Sequence, residues 1–362
     1  MSRVRSEPEL ITAEWLTEAL EEGGVARGAS VTEVSFVGWI GTGQTGRNAR
    51  FALEWDRPDG RPTSIVAKFP SGDPAARASA FENDTYVKEW LFYDRIAATV
   101  DIRTPRCHVA RFDADAPDFV LVMEDMADSR QGDQLEGLDP DRIATAIGEL
   151  AGLHAPHFGS PGLTALFDDT APRPDPGEVG QLVQAFYAMT LPGFVERLAD
   201  RIDPDVVRLA GDFAPHVGRW VQGTDTPATL VHLDYRADNL LFGDGPGAPP
   251  LVVVDWQTIG VGLGASDLAY LVSGSHPDAA ERASSERDLV AEYRASMATA
   301  GVEIDADDMW RDYRFGSLWG MIITVIATVA AARTERGDDM FVAMAQRHGR
   351  QALDLEALSL VR

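Results

Sequence analysis

Residues 230–270, LVHLDYRADNLLFGDGPGAPPLVVVDWQTIGVGLGASDLAY, set the tightest constraint on how this chain can fold. Two short apolar runs, 240–242 and 251–254, flank a turn rich in glycine and proline, which is the pattern of a strand hairpin. A polar cluster precedes the first run and an acid ends the second. Closing the hairpin therefore brings Asp234, Asn239 and Asp255 into one small volume. Asp234 and Asn239 are five residues apart, near enough for one loop to hold both. Asp255 follows sixteen residues later, a span that two strands and a turn cover. A carboxylate that can accept a proton, beside an amide oxygen and a second carboxylate that can hold a hard cation, suits Mg2+-dependent phosphoryl transfer. A metal-hydrolase reading of His232, Asp234 and Asp255 needs more histidines nearby, and the nearest others, His216 and His276, form no ligand-spaced pair.

Upstream, the chain reads as strands. A short amphipathic helix over 12–22 leads into a strand over 30–40, the turn GTGQTG, and a strand over 47–55 whose apolar residues alternate. Gly41, Gly43 and Gly46 let backbone N–H groups approach a phosphate. The loop joins two strands, so it is neither a dinucleotide fingerprint nor a P-loop, both of which open a helix. A third strand, 64–69, carries Lys68 in IVAKFP, and an ammonium in an apolar strand needs a partner. The helix predicted over 75–97 offers two, Glu82 and Glu89, on one face. Strand lysine and helix glutamate about twenty residues apart is the arrangement in which kinases aim the lysine at nucleotide phosphates. A strand pair, 106–112 and 119–123, ends in MEDM, where backbone groups of Glu124 and Met126 could meet an adenine edge.

Beyond residue 127 the pattern turns helical, with helices predicted over 140–155, 178–199 (interrupted at 191–193), 204–221, 278–300, 306–335 and 339–358. Phe186 and Tyr187 either line a substrate pocket or, as aromatics at helical spacing more often do, pack in the core; 168–176 is a candidate lid, and His154 a candidate for a hydrogen bond at a helix end. The division implied is 1–126 for nucleotide and 127–362 for catalysis and acceptor.

Composition excludes several classes. With 32 Lys plus Arg against 57 Asp plus Glu, the net charge of -25 disfavours nucleic acid and anionic membranes as partners. One cysteine, Cys107, rules out an intrachain disulfide and a cysteine metal cluster. The N-terminal stretch lacks the apolar core of a signal peptide, so a cytoplasmic setting is expected. Residues 315–332 are uncharged and just reach the length of a membrane span, but their Ser, Thr and Gly content reads as a buried helix.

The glycine hairpin, Lys68, Glu89, MEDM, LAGLHA, DYRADNLLF and VVVDWQ together resemble the aminoglycoside phosphotransferase and choline kinase-like superfamily, over nearly the whole chain. Its ecdysteroid-kinase-like and acyl-CoA-dehydrogenase-associated branches are the most similar. The resemblance implies an α+β, protein-kinase-like two-lobed fold, with an antiparallel sheet plus helix first and a mainly helical lobe after it. It implies Asp234 as catalytic aspartate, Asn239 and Asp255 as Mg2+ ligands, and Lys68 on the phosphates of ATP. KEWLFYDRIA is similar to the family helix and favours Glu89 over Glu82. His232 and Asp267 are implied to support the catalytic loop. Leu233 departs from the family's usual glycine. The implied reaction is phosphorylation of a small-molecule hydroxyl, with an aminoglycoside-like, steroid-like or hydroxyacyl acceptor. The alternative is an inactive nucleotide-binding or scaffold protein of the same fold.

Overall fold

Thr12 begins the first helix by accepting the amide of Trp15 on its side chain, and α1 (Ala13–Glu22) buries Trp15, Leu16, Ala19 and Leu20. These four pack against an antiparallel sheet of β1 (Val31–Ile40), β2 (Gly46–Trp55), β3 (Ser64–Pro70), β4 (Cys107–Asp113) and β5 (Asp118–Glu124), in the order β1-β2-β3-β5-β4. The structure is a computed structural model that describes residues 4–41, 45–168, 176–245, 247–331 and 333–362. β3 lies mid-sheet and is buried along nearly its whole length, which is why it reads as an apolar run.

The helix predicted over 75–97 is broken. α2 (Pro74–Glu82) stops at Asn83, Asp84 takes a left-handed φ of 58°, and α3 (Thr85–Leu91) restarts in a new direction. Asn and Asp tolerate that backbone, so the pair Asn83-Asp84 punctuates what periodicity alone joins. A π-helical turn, Phe92–Ile96, follows.

The remaining chain holds small sheets wrapped by helices. β6 (Ser129–Gln131) pairs with β8 (Leu240–Gly243) and β8 with β9 (Leu251–Val253), while β7 (Thr229–Val231) pairs with β10 (Gly260–Gly262). Around them lie α4 (Pro140–His154), α5 (Pro176–Leu198), α6 (Pro204–Phe213), α7 (Val217–Val221), α8 (Gly264–Ser275), α9 (Ala279–Thr299), α10 (Ala306–Gly316), α11 (Leu318–Ala330) and α12 (Glu335–Asp354).

Three helical expectations change. The break foreseen at 191–193 is absent: α5 runs through Pro192, and Thr190 two residues earlier spends its hydroxyl on the carbonyls of Phe186 and Tyr187. The helices predicted over 204–221 and 306–335 each divide in two, the second at Ser317. α8 was not foreseen. Every one of its residues is buried, so it has no polar face and shows no 3.6-residue period.

The run 306–330 meets the length and composition of a membrane span, yet 61% of its most apolar stretch is buried inside the protein. α11 packs there against α5 and α12. Gly320 is required at one contact, because a Cβ would lie 2.4 Å from the His348 ring. That ring stacks on Tyr270 at 4.6 Å and 6°. Both His348 ring nitrogens are buried without a hydrogen-bond partner, and burial, helped by Arg347, pulls its pKa down to about 3.

A histidine depressed in the folded state binds its proton first in the unfolded one. Its contribution is therefore complete above the ordinary value of 6.5 and is lost as pH falls toward 3. The expected slope is about 1.4 kcal/mol per pH unit in that window. Urea midpoints of the native protein and His348→Phe, measured from pH 7.5 to 4.5, should converge as pH falls. Parallel curves would remove His348 from the acid response.

Candidate active site

Lys68 pairs across the sheet with Asn48 and Leu121, and its side chain points to the face of the sheet that α3 covers. Gly46 leaves room for it: a Cβ there would meet Lys68 Cε at 3.0 Å. The ammonium is nearly fully buried and donates to Glu89 Oε1 at 2.6 Å and Asp255 Oδ1 at 2.9 Å. Glu89 is buried, whereas Glu82 lies exposed on the separate helix α2. The break at Asn83-Asp84 thus decides between the two glutamates.

Electrostatics in this trio are one cation against two carboxylates. Burial raises the Glu89 pKa to about 6, against the pull of Lys68. Burial also pushes Asp255 upward, but the Lys68 ammonium outweighs it and holds Asp255 below the ordinary range. For Lys68, burial is overcome by Asp255 and Glu89, and its pKa rises.

Asp255 takes a left-handed φ of 68° at the start of the turn Trp256–Thr258. Its position is held by Trp256, whose ring stacks on Phe92 of the π-helical turn at 3.8 Å and 4°. That contact ties the Glu89 helix to the Asp255 turn. Gln257 Nε2 reaches Asp255 Oδ2 at 3.4 Å, and the Gln257 amide oxygen accepts the Thr45 hydroxyl at 2.7 Å beside the glycine-rich turn. Gly41 has φ 73° with open space around it, and Gly43 lies outside the described residues.

The loop between β7 and β8 carries the rest. Asp267, buried in the first turn of α8, accepts the amides of His232 at 2.6 Å and Leu233 at 2.9 Å. His154 Nε2 stands 3.4 Å from the same carboxylate and its Nδ1 2.8 Å from Tyr293 Oη. The carbonyls of Leu233 and Val254 are fastened by Trp319 Nε1 at 3.0 Å and His232 Nε2 at 3.1 Å. Leu233 has φ 66°, which explains why glycine suits this position. Gly260 makes room for it, since a Cβ there would lie 3.1 Å from Leu233 Cδ1.

Asn239 donates to Asp234 O at 2.8 Å and Oδ2 at 2.9 Å, which leaves its amide oxygen as a neutral hard donor. Val254 N–H bonds the Asn239 carbonyl at 3.0 Å, bringing Asp255 to its side.

Two residues of this site escaped sequence reasoning. Arg236 sits between Asp234, at 3.0 Å, and Asp238, at 2.8 Å. The Tyr270 hydroxyl donates to Asp234 Oδ1 at 3.3 Å. The signal for Arg236 was present in its spacing of two residues from each acid; Tyr270 had none, because α8 itself was illegible.

At the strand end, Glu124 N–H already donates to Arg106 O at 2.8 Å and Met126 O accepts Ser129 N–H at 3.0 Å. The expected base-edge groups narrow to the Glu124 carbonyl and the Met126 amide. Tyr187 is buried with its hydroxyl on Ala210 O at 3.0 Å, so it is a core residue and lines no pocket; Phe186 is exposed. Of the lid proposed for 168–176, residues 169–175 lie outside the described residues.

A model of the phosphotransferase enzyme family matches residues 44–300. No curated protein sequence matches closely enough to count as a relative. Solved structures share the fold at low identity. Plasmodium vivax ethanolamine kinase is 10% identical at a TM-score of 0.55, covering 94% of this chain and 86% of its own. The GDP and kanamycin complex of the aminoglycoside phosphotransferase APH(2")-IIia is 14% identical at 0.53, covering 94% and 99%. Choline kinase from Cryptosporidium parvum Iowa II is 10% identical at 0.51, covering 89% of each. The superfamily and the two-lobed kinase-like fold expected from the sequence motifs are borne out.

Proposed function

This chain belongs to the phosphotransferase enzyme family, and on that premise we propose that it moves the γ-phosphoryl group of ATP, with Mg2+, to a hydroxyl of a small molecule. The observation that carries the reading is the double engagement of Lys68 by Glu89 and Asp255, 21 and 187 residues away in sequence, next to the Asp234–Asn239 pair.

The donor set suits Mg2+: an amide oxygen on Asn239 and a carboxylate on Asp255 are hard ligands, and Mg2+ takes few protein ligands when phosphates and water complete its shell. Lys68, Glu89 and Asp255 set one cation against two carboxylates, an excess of negative charge that a divalent ion held by Asn239 and Asp255 would offset. When bound, the ion neutralises charge on the phosphates. Lys68 releases Asp255 and grips the α- and β-phosphates, with Glu89 holding its direction. Asp234 orients the acceptor hydroxyl and takes its proton. Arg236, held against burial by Asp234, Tyr270 and Asp238, keeps its charge and fixes the Asp234 rotamer. The Glu124 carbonyl and Met126 amide read the base edge.

The acceptor is favoured to have an apolar body. Leu182, Phe186 and Met189 form an exposed stripe on α5, which packs along α11, and Trp319 of α11 bonds the Leu233 carbonyl. A panel of hydroxylated metabolites, assayed by nucleoside diphosphate release from ATP and from GTP, tests this. A response confined to polycationic sugars would reject the apolar acceptor.

Lys68→Ala should raise KM for the nucleotide at least tenfold, since a charge-assisted phosphate contact is lost. It also leaves Glu89 buried without its cation. An unchanged KM would reduce Lys68 to a structural ion-pair partner.

A further inference from the structure

A hollow of about 1110 Å³ opens between the turn after α1, the turn joining β2 to β3, and the start of β4. None of Lys68, Glu89, Asp234, Asn239 or Asp255 lines it. Its wall carries four arginines, Arg27, Arg57, Arg61 and Arg106, in a chain whose acids outnumber its Lys and Arg by 57 to 32. Of the three carboxylates in the wall, Glu124 is neutralised by Arg103 at 2.7 Å and Asp125 by Arg50 at 2.9 Å, which leaves Asp59 alone.

The arginines are differently employed. Arg61 spends its guanidinium on backbone, donating to Ala26 O and Arg57 O, both at 2.8 Å, and so ties the two turns together. Arg27 uses only Nε, on Gly24 O at 3.2 Å. Arg57 bonds Gly28 O and stands 3.7 Å from Asp56. Among the described residues Arg27, Arg61 and Arg106 form no ion pair. His108 Nδ1, on the same wall, is buried without a hydrogen-bond partner. Like charges gathered around one hollow repel unless an anion enters, and the planar guanidinium fork matches phosphate oxygens two at a time.

We propose that this hollow binds a phosphate-bearing small anion, held by Arg27, Arg57 and Arg106, with Arg61 fixing the two turns that present them. Nothing in this assignment depends on the transfer reaction. The back of the strand end that carries Glu124 and Asp125 forms one wall, so an occupant touches the segment that borders the nucleotide cleft.

Inorganic pyrophosphate is the probe, titrated calorimetrically into the native protein, Arg27→Ser/Arg106→Ser and Asp255→Asn. Both arginines are exposed, so the double variant should fold as the native protein does. Binding should weaken at least tenfold in the double variant and stay within threefold in Asp255→Asn. Citrate should bind at least tenfold more weakly than pyrophosphate. Equal binding to the double variant, a loss confined to Asp255→Asn, equal binding of citrate, or no heat with the native protein at millimolar pyrophosphate would each overturn the assignment. The second would place the anion in the nucleotide cleft instead.

Discussion

Asp234→Asn should lower kcat by roughly 10²- to 10⁴-fold, the usual contribution of a positioned base, and leave nucleotide affinity within a few-fold. The substitution keeps the shape of the side chain and its place beside Asn239, but the amide cannot take the proton of a hydroxyl. It also ends the ion pair with Arg236 at 3.0 Å. Lys68, Glu89 and Asp255 reach the site from other elements, so nucleotide binding should survive. Steady-state kinetics with an acceptor found by the diphosphate-release screen, together with nucleotide titration, separate the two effects. A kcat within tenfold of native would sink the assignment of Asp234 as the base. A parallel loss of nucleotide affinity would point to a collapsed site.

Asp267→Ala should be the most damaging substitution to the fold itself. The carboxylate is buried and accepts two backbone amides, from His232 and Leu233. Removing it strands both donors, at about 1–3 kcal/mol each, and frees His154 from its neighbour. A loss of roughly 3–5 kcal/mol is expected, read from the urea midpoint. What survives should turn over slowly, because Leu233 holds a left-handed backbone only while the surrounding contacts enforce it. Asp267→Asn keeps one acceptor oxygen and should fall between the two in both stability and kcat. An unaltered midpoint in Asp267→Ala would mean that Trp319 and His232 alone hold the loop.

Much of the site was legible before the structure, for a physical reason. Asp234, Asn239 and Asp255 lie on one continuous segment, where short-range strand and turn signals dictate proximity. β8 and β9 pair as the apolar runs predict, Leu240 opposite Val253. Lys68 stood out because an ammonium in an apolar strand is costly without a partner. Its second partner did not stand out, since nothing in the sequence shows that a carboxylate 187 residues away shares the ammonium with Glu89. α8 hid for the opposite reason: burial on all sides erases the periodicity by which helices are recognised. Tyr187 stayed open between core and pocket for a related one, because an aromatic at helical spacing looks alike whether it faces core or cleft.

Sequence alone therefore determined the hairpin, its acids and amide, and the glycine turn with its strand lysine, all of them local patterns. Tertiary structure supplied the physical reason that Glu89, which the family resemblance favours, holds Lys68 and Glu82 does not: a left-handed Asp84 turns one predicted helix into two. It also decided that Asp255 shares that lysine and that Arg236 and Tyr270 brace Asp234, and it set the amides of His232 and Leu233 on Asp267, whose support of the loop the family resemblance already implies. Those contacts join segments whose adjacency depends on how buried faces pack, and packing is a property of the whole chain that no local stretch encodes.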